Sequence, residues 1–88
     1  MYIAKKKVET ITKNTILQAE DFGGWQAFNT GTTTAIVDEV PISPGGSIVG
    51  LSFTDLHPEV IWGDPISITF SGSGINSVVI TRLKYSKL

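Results

Sequence analysis

Apolar and polar positions alternate with a period of two most clearly near the C-terminus. Ile66, Ile68 and Phe70 alternate with Ser67, Thr69 and Ser71, which predicts a strand over 66–71 with one buried face. Gly72-Ser73-Gly74 then turns the chain. A longer strand is predicted from Ser77 to Tyr85, with Val79, Leu83 and Tyr85 on one face and Val78, Ile80, Arg82 and Lys84 on the other. Upstream, Gly24 to Phe28 alternates Trp25 and Ala27 against Gln26 and Phe28. The stretch from Asn29 to Phe53 reads as turn, strand, rigid turn, strand. Asn29-Thr30-Gly31 is a turn signal. Thr32 to Val40 is rich in β-branched residues, whose stiff χ1 suits a pleated surface. Pro41, Pro44, Gly45 and Gly46 form the rigid turn. Ser47 to Phe53 is the second strand, with Val49, Leu51 and Phe53 opposite Ile48, Gly50 and Ser52. This pattern predicts a hairpin at the centre of the domain.

The N-terminal part alternates less evenly. Tyr2, Ala4, Val8 and Ile11 are its apolar or small positions, so residues 1–13 read as an extended arm or an edge strand. Edge lysines protect an exposed strand from promiscuous pairing, and an arm that docks on a neighbour has the same pattern. From Asn14 to Phe22 two signals compete. Thr15 and Gln18 have capping-box spacing and Gly23-Gly24 could stop a helix, but two turns of helix are marginal without packing. The preferred reading is a strand through Thr15–Ala19 followed by an acidic turn at Glu20-Asp21. After Phe53 comes a loop containing Asp55, His57 and Pro58, then a short apolar strand at Val60-Ile61-Trp62 ended by Gly63-Asp64-Pro65. The expected fold is all-β: a small antiparallel β-sandwich or jelly-roll-like barrel of about seven or eight strands. An extended N-terminal arm leads into a single β domain over 14–88.

Length changes the picture by thinning the core. A chain of 88 residues without cysteine is one small domain with no disulfide or thiolate metal site to supplement packing. Such domains often recover stability by oligomerising or docking onto a larger body. No stretch approaches the length of a membrane helix, and M-Y-I-A-K-K-K lacks the apolar run of a secretory signal, so no membrane partner is expected.

Charge is segregated beneath a net value of −1. Lys5, Lys6, Lys7 and Lys13 lie at one end of the sequence and Arg82, Lys84 and Lys87 at the other, with Glu9 the sole acid among them. Between them the charges are all negative: Glu20, Asp21, Asp38, Glu39, Asp55, Glu59 and Asp64. Basic ends beside an acidic middle fit docking onto an acidic surface, whether a neighbouring copy, a scaffold or nucleic acid.

Candidate chemistry is sparse. His57 is the single histidine, and no nucleophile set accompanies it. Asp21-Phe22-Gly23 matches the kinase metal-binding tripeptide by chance, since no other kinase motif is present. Asp38 and Glu39 are adjacent on a predicted strand, point to opposite faces and cannot pair for acid–base work. Glu20, Asp21, Asp55, Glu59 and Asp64 lack the calcium-loop spacing, and the P-G-G and G-S-G turns lack phosphate-loop spacing. No catalytic residue, cofactor or metal is therefore assigned. Trp25 and Trp62 fit core, a protein interface or a sugar-stacking platform. The candidate partner-binding residues are Lys5, Lys6, Lys7, Lys13, Arg82, Lys84, Trp25 and Trp62.

The order of these features resembles the small β-sandwich modules of tailed-phage virion proteins. The resemblance spans Ile16 to Tyr85 and rests on two turns: Asn29-Thr30-Gly31-Thr32 after the aromatic strand 24–28, and Pro41-Ile42-Ser43-Pro44-Gly45-Gly46-Ser47 after Ala35-Ile36-Val37. Gly23-Gly24 stands where such modules often carry an arginine. The resemblance implies a non-enzymatic structural role in a virion, as head decoration (cement), head fibre or tail accessory. Its partners would be capsid or tail proteins and copies of itself, and the chain would be made in the host cytoplasm. The competing readings are a carbohydrate-binding sandwich using Trp25 or Trp62 and a small nucleic-acid-binding barrel using the terminal lysines.

Overall fold

The computed structural model describes residues 2–51 and 61–87. Eight strands run in order: β1 (Tyr2–Ile11), β2 (Thr15–Leu17), β3 (Trp25–Asn29), β4 (Thr34–Val37), β5 (Val40–Ile42), β6 (Ser47–Leu51), β7 (Ile66–Ser71) and β8 (Val78–Lys87). No helix occurs among the described residues. The strands form two four-stranded antiparallel sheets, ordered β1-β8-β3-β6 and β2-β7-β4-β5. Both sheets contribute to one core. Ile11, Trp25, Ala27, Val78 and Ile80 come from the first, and Leu17, Ala35, Val37, Ile42, Ile66 and Ile68 from the second. The arrangement is compatible with a small β-sandwich. The pairs are nested: β4 with β5, β3 with β6, β2 with β7 and β1 with β8, alternating between the sheets.

The period-two patterns translate directly into burial. Ile66 and Ile68 are buried and Phe70 packs against them, while Thr69 and Ser71 are exposed. Trp25, Ala27 and Asn29 point inward from β3, and Phe28 points out. Val78, Ile80 and Arg82 point inward from β8. The stretch 15–17 is a strand and Glu20-Asp21 is a turn, with both residues at positive φ. Residues 2–11 form the edge strand of the first sheet, laddered to β8 from Tyr2↔Lys87 to Ile11↔Val78.

The central stretch departs from its predicted hairpin. Thr32–Val40 is not one strand, because Asp38 and Glu39 occupy the two turn positions of a tight hairpin, at φ 49° and 68°. Positive φ at both positions matches the twist of flanking strands. The two carboxylates therefore lie in a turn rather than on opposite faces of a strand. Pro41 sits inside β5, opposite Ile36, where an edge strand tolerates its missing N–H. The rigid turn is Ser43–Gly46, closed by Gly46 N–H to Ser43 O at 2.8 Å with Gly45 at φ 83°. Pro then Gly at its centre is the type II signature. This turn carries the chain from one sheet to the other, so β6 pairs with β3 rather than with β4. Ile61 and Trp62 are not in a strand. Asp55, His57, Pro58, Glu59 and Val60, with Ser52 and Phe53, lie outside the described residues.

Asn29 holds this crossing in place. Its Nδ2 donates to Thr33 O at 2.8 Å and Ile42 O at 2.9 Å, and its Oδ1 accepts from Gly31 N at 3.0 Å. Its backbone bonds Gly45 and Gly46. The buried amide thus ties the end of β3 to the loop after it and to β5, and the backbone of the same residue ties it to the Pro-Gly turn. That loop packs on residues 75–77 through Thr30, Gly31 and Thr32 N–H groups. A Cβ at Gly31 would overlap Ile75 O, so only glycine permits this approach.

Candidate protein-docking site

Arg82 terminates the core at the end opposite Asn29. It is 1% exposed. Its Nη1 donates to Gln18 O at 2.9 Å, and its Nη2 donates to Glu9 at 2.7 Å and to Glu20 at 3.3 Å. The guanidinium lies over the Phe22 ring, 4.3 Å from the centroid. A planar fork with five donors suits this geometry where a lysine ammonium would not. Lys7 Nζ also approaches Glu9, at 3.6 Å. Trp25 lies opposite Arg82 across the β3·β8 ladder, and Trp62 meets it edge-on, centroids 5.5 Å apart at 79°. A Cβ at Gly50 would overlap the Trp25 indole, so β6 reaches its place only through that glycine.

Glu9 feels opposing influences. Burial pushes its carboxyl up, but the Arg82 hydrogen bond and charge, together with Lys7, hold it below its ordinary value of 4.5. A carboxyl depressed in the folded state stabilises the fold at pH above its unfolded value, and that contribution disappears as pH falls through the folded value. Melting temperature should therefore drop on acidification below about 4.5, and Glu9→Gln should flatten that slope. An unchanged acid profile in the variant would remove Glu9 from the account.

Beyond Arg82 the β1·β8 ladder continues without a third strand. Tyr2, Ile3, Ala4 and Lys5 pair with Lys87, Ser86, Tyr85 and Lys84, while the β3·β8 ladder stops at Trp25↔Arg82. This two-stranded ribbon extends the molecule to 46 Å along an axis whose cross-section is 20 by 18 Å. Alternation places Lys5, Lys7 and Lys84 on one face and Lys6 and Lys87 on the other. Lys5 and Lys84 are directly opposite, a like-charge pair that weakens a sheet unless a counter-charge is supplied.

The structure thus places Lys5 and Lys84 opposite each other on the ribbon, with Lys87 at its tip and Lys6 and Lys7 at its base on opposite faces. Lys13 lies beyond the other end of β1 and is not part of that group. Arg82 and Trp25, expected as partner contacts, are each 1% exposed and serve the interior. Trp62 is partly buried against the core, which leaves the sugar-platform reading with one half-covered ring. The Arg82–Glu9–Glu20 cluster was invisible as a site in the sequence, because strand register brings Glu9 to Arg82 and the turn after β2 brings Glu20. The one signal was Glu9, an isolated acid among basic residues. Among the described residues no group of three or more His, Cys, Asp or Glu could hold a metal ion. Comparison with protein-family models, with curated proteins and with solved structures finds no match.

Proposed function

We propose that this chain is a jelly-roll subunit of a bacteriophage virion, a non-enzymatic structural protein attached to a capsid or tail assembly through its basic ribbon. The carrying observation is the nested strand order, β1-β8-β3-β6 facing β2-β7-β4-β5. That order is what results when one long antiparallel hairpin is rolled so that successive strand pairs alternate between two sheets, the double-sheet architecture of viral capsid and lectin domains. The turn signatures at 29–32 and 41–47 support the virion side of that pair. The ribbon supplies the means of attachment: Lys5 and Lys84 face each other without a carboxylate opposite them in the ladder, so an acidic partner surface would relieve their repulsion. The role would be decoration, cement, head fibre or tail accessory.

Deleting residues 1–13 is a poor test, because it strips Ile11 from the core and Glu9 from Arg82. Charge reversal at the ribbon is cleaner. Lys5→Glu/Lys84→Glu should keep the wild-type circular dichroism spectrum yet lower incorporation into particles by about tenfold or more, the loss of roughly 1.4 kcal/mol of contact energy. Undiminished incorporation would refute attachment through the ribbon. Absence of the wild-type chain from purified particles would refute the virion role.

A further inference from the structure

We infer that the free edge of β1 pairs with the same edge of a second copy, antiparallel and centred on Val8, joining two four-stranded sheets into one of eight strands. This goes beyond attachment to an assembly and does not depend on it. The first observation is which backbone groups are unpaired. Leu83 donates its N–H to Gly24 O and accepts from Gly23 N, so its polar groups face β3. Backbone groups alternate sides along a strand. Those of Arg82 and Lys84 therefore face β1 and bond their partners there, Lys7 and Lys5. It follows that Ala4, Lys6, Val8 and Thr10 aim their N–H and C=O groups away from β8. Among the described residues no strand pairs with that edge. A ten-residue edge with regular open amides is a template for strand addition.

The second observation is that the side chains select one register. A two-fold dimer must place open amides opposite open amides, so the axis passes through a residue of β1. Centred on Lys6, the pairing puts Lys6 against itself and Lys5 against the partner's Lys7. Centred on Lys7, it puts Lys7 against itself. Centred on Val8, it sets Lys7 opposite the partner's Glu9, Glu9 opposite the partner's Lys7, and Lys6 opposite the partner's Thr10, with no like charges facing. Edge lysines ordinarily block pairing, and this register instead sets Lys7 opposite a carboxylate. Val8 itself is 53% exposed on the outer face, opposite Thr81 in the same sheet. The dimer would bring two Val8 side chains together at the seam.

The test uses the full chain in sedimentation equilibrium, with two variants. Val8→Pro removes an N–H that points away from β8, so the fold should persist by circular dichroism while the dimer is lost. Val8→Cys places one thiol in a chain that has no cysteine. At the two-fold axis of a hydrogen-bonded pair the Cα atoms stand about 5.5 Å apart, within disulfide range. It should oxidise rapidly to a covalent dimer, whereas Lys6→Cys alone should not. A wild-type chain that stays monomeric at every soluble concentration would overturn the inference. So would a dimer that survives Val8→Pro in a folded chain, or a Val8→Cys that cross-links no faster than Lys6→Cys.

Discussion

Asn29→Asp should lower stability at neutral pH by roughly 3–5 kcal/mol, the range for an uncompensated buried charge. Asn29 is 2% exposed, and its Nδ2 donates to two carbonyl oxygens. In the variant a carboxylate oxygen would face those carbonyls, with repulsion in place of two hydrogen bonds. A domain of this size has about 5–10 kcal/mol in total, so urea unfolding should shift to far lower midpoints. The pH dependence gives a second signature. The introduced carboxyl would have its folded pKa raised, so the variant should recover stability as it is protonated toward about pH 4 and lose it as pH rises. That is opposite in sign to the Glu9 effect. Asn29→Ala should cost less, about 2–3 kcal/mol, since it leaves acceptors unsatisfied without adding charge. Equal losses in the two variants at neutral pH would show that the amide, not the local charge, decides.

Arg82→Met should cost about 2–3 kcal/mol, and Arg82→Lys nearly as much. Methionine keeps an apolar stem over Phe22 but leaves Gln18 O and two carboxylates without their donor. Lysine keeps the charge but cannot bond three acceptors from one plane. Because Glu9 and Glu20 retain 27% and 52% side-chain exposure, water would rehydrate them, which holds the loss below that of a fully interior pair. A double-mutant cycle with Glu9→Gln isolates their coupling, expected at about 1–2 kcal/mol. Coupling near zero would mean that Arg82 acts through Phe22 and Gln18 alone.

Sequence and structure agree most closely where a pattern has one physical cause. The alternation at 66–71 and in 78–82 reports burial on one face of a sheet, and those residues lie as predicted. The short strand at 15–17 was legible too, because a two-turn helix there lacked support. The Asp38-Glu39 hairpin was not legible. Turns of that geometry usually advertise themselves with Asn-Gly or Asp-Gly, and here β-branched neighbours on both sides masked the break. Pro41 carried the missed hint, since a proline within a strand run marks an edge. The partner of β6 was beyond reach for a different reason. Local sequence favours a hairpin with the preceding strand, whereas the pairing with β3 is fixed by the crossing that Asn29 and the Pro-Gly turn enforce. Of the docking candidates, composition could place the lysines at the two ends of the chain. Only register reveals that β1 and β8 bring those ends together, and that Arg82 turns inward while Lys84 does not.

The nesting of strand pairs also sets an order of events in time. The β4·β5 pair needs only a tight turn and can form in isolation on the microsecond scale. Each further pair encloses the one before it, so β1 waits for β8, whose residues are made more than sixty positions later. Until then Tyr2–Ile11 is a nascent strand with both edges bare, and the lysines it carries are what keep it soluble. Closure of that ladder is therefore the slow, high-contact-order step of folding. It also joins Glu9 to Arg82, so assembly of the ionic cluster would report when the fold is complete.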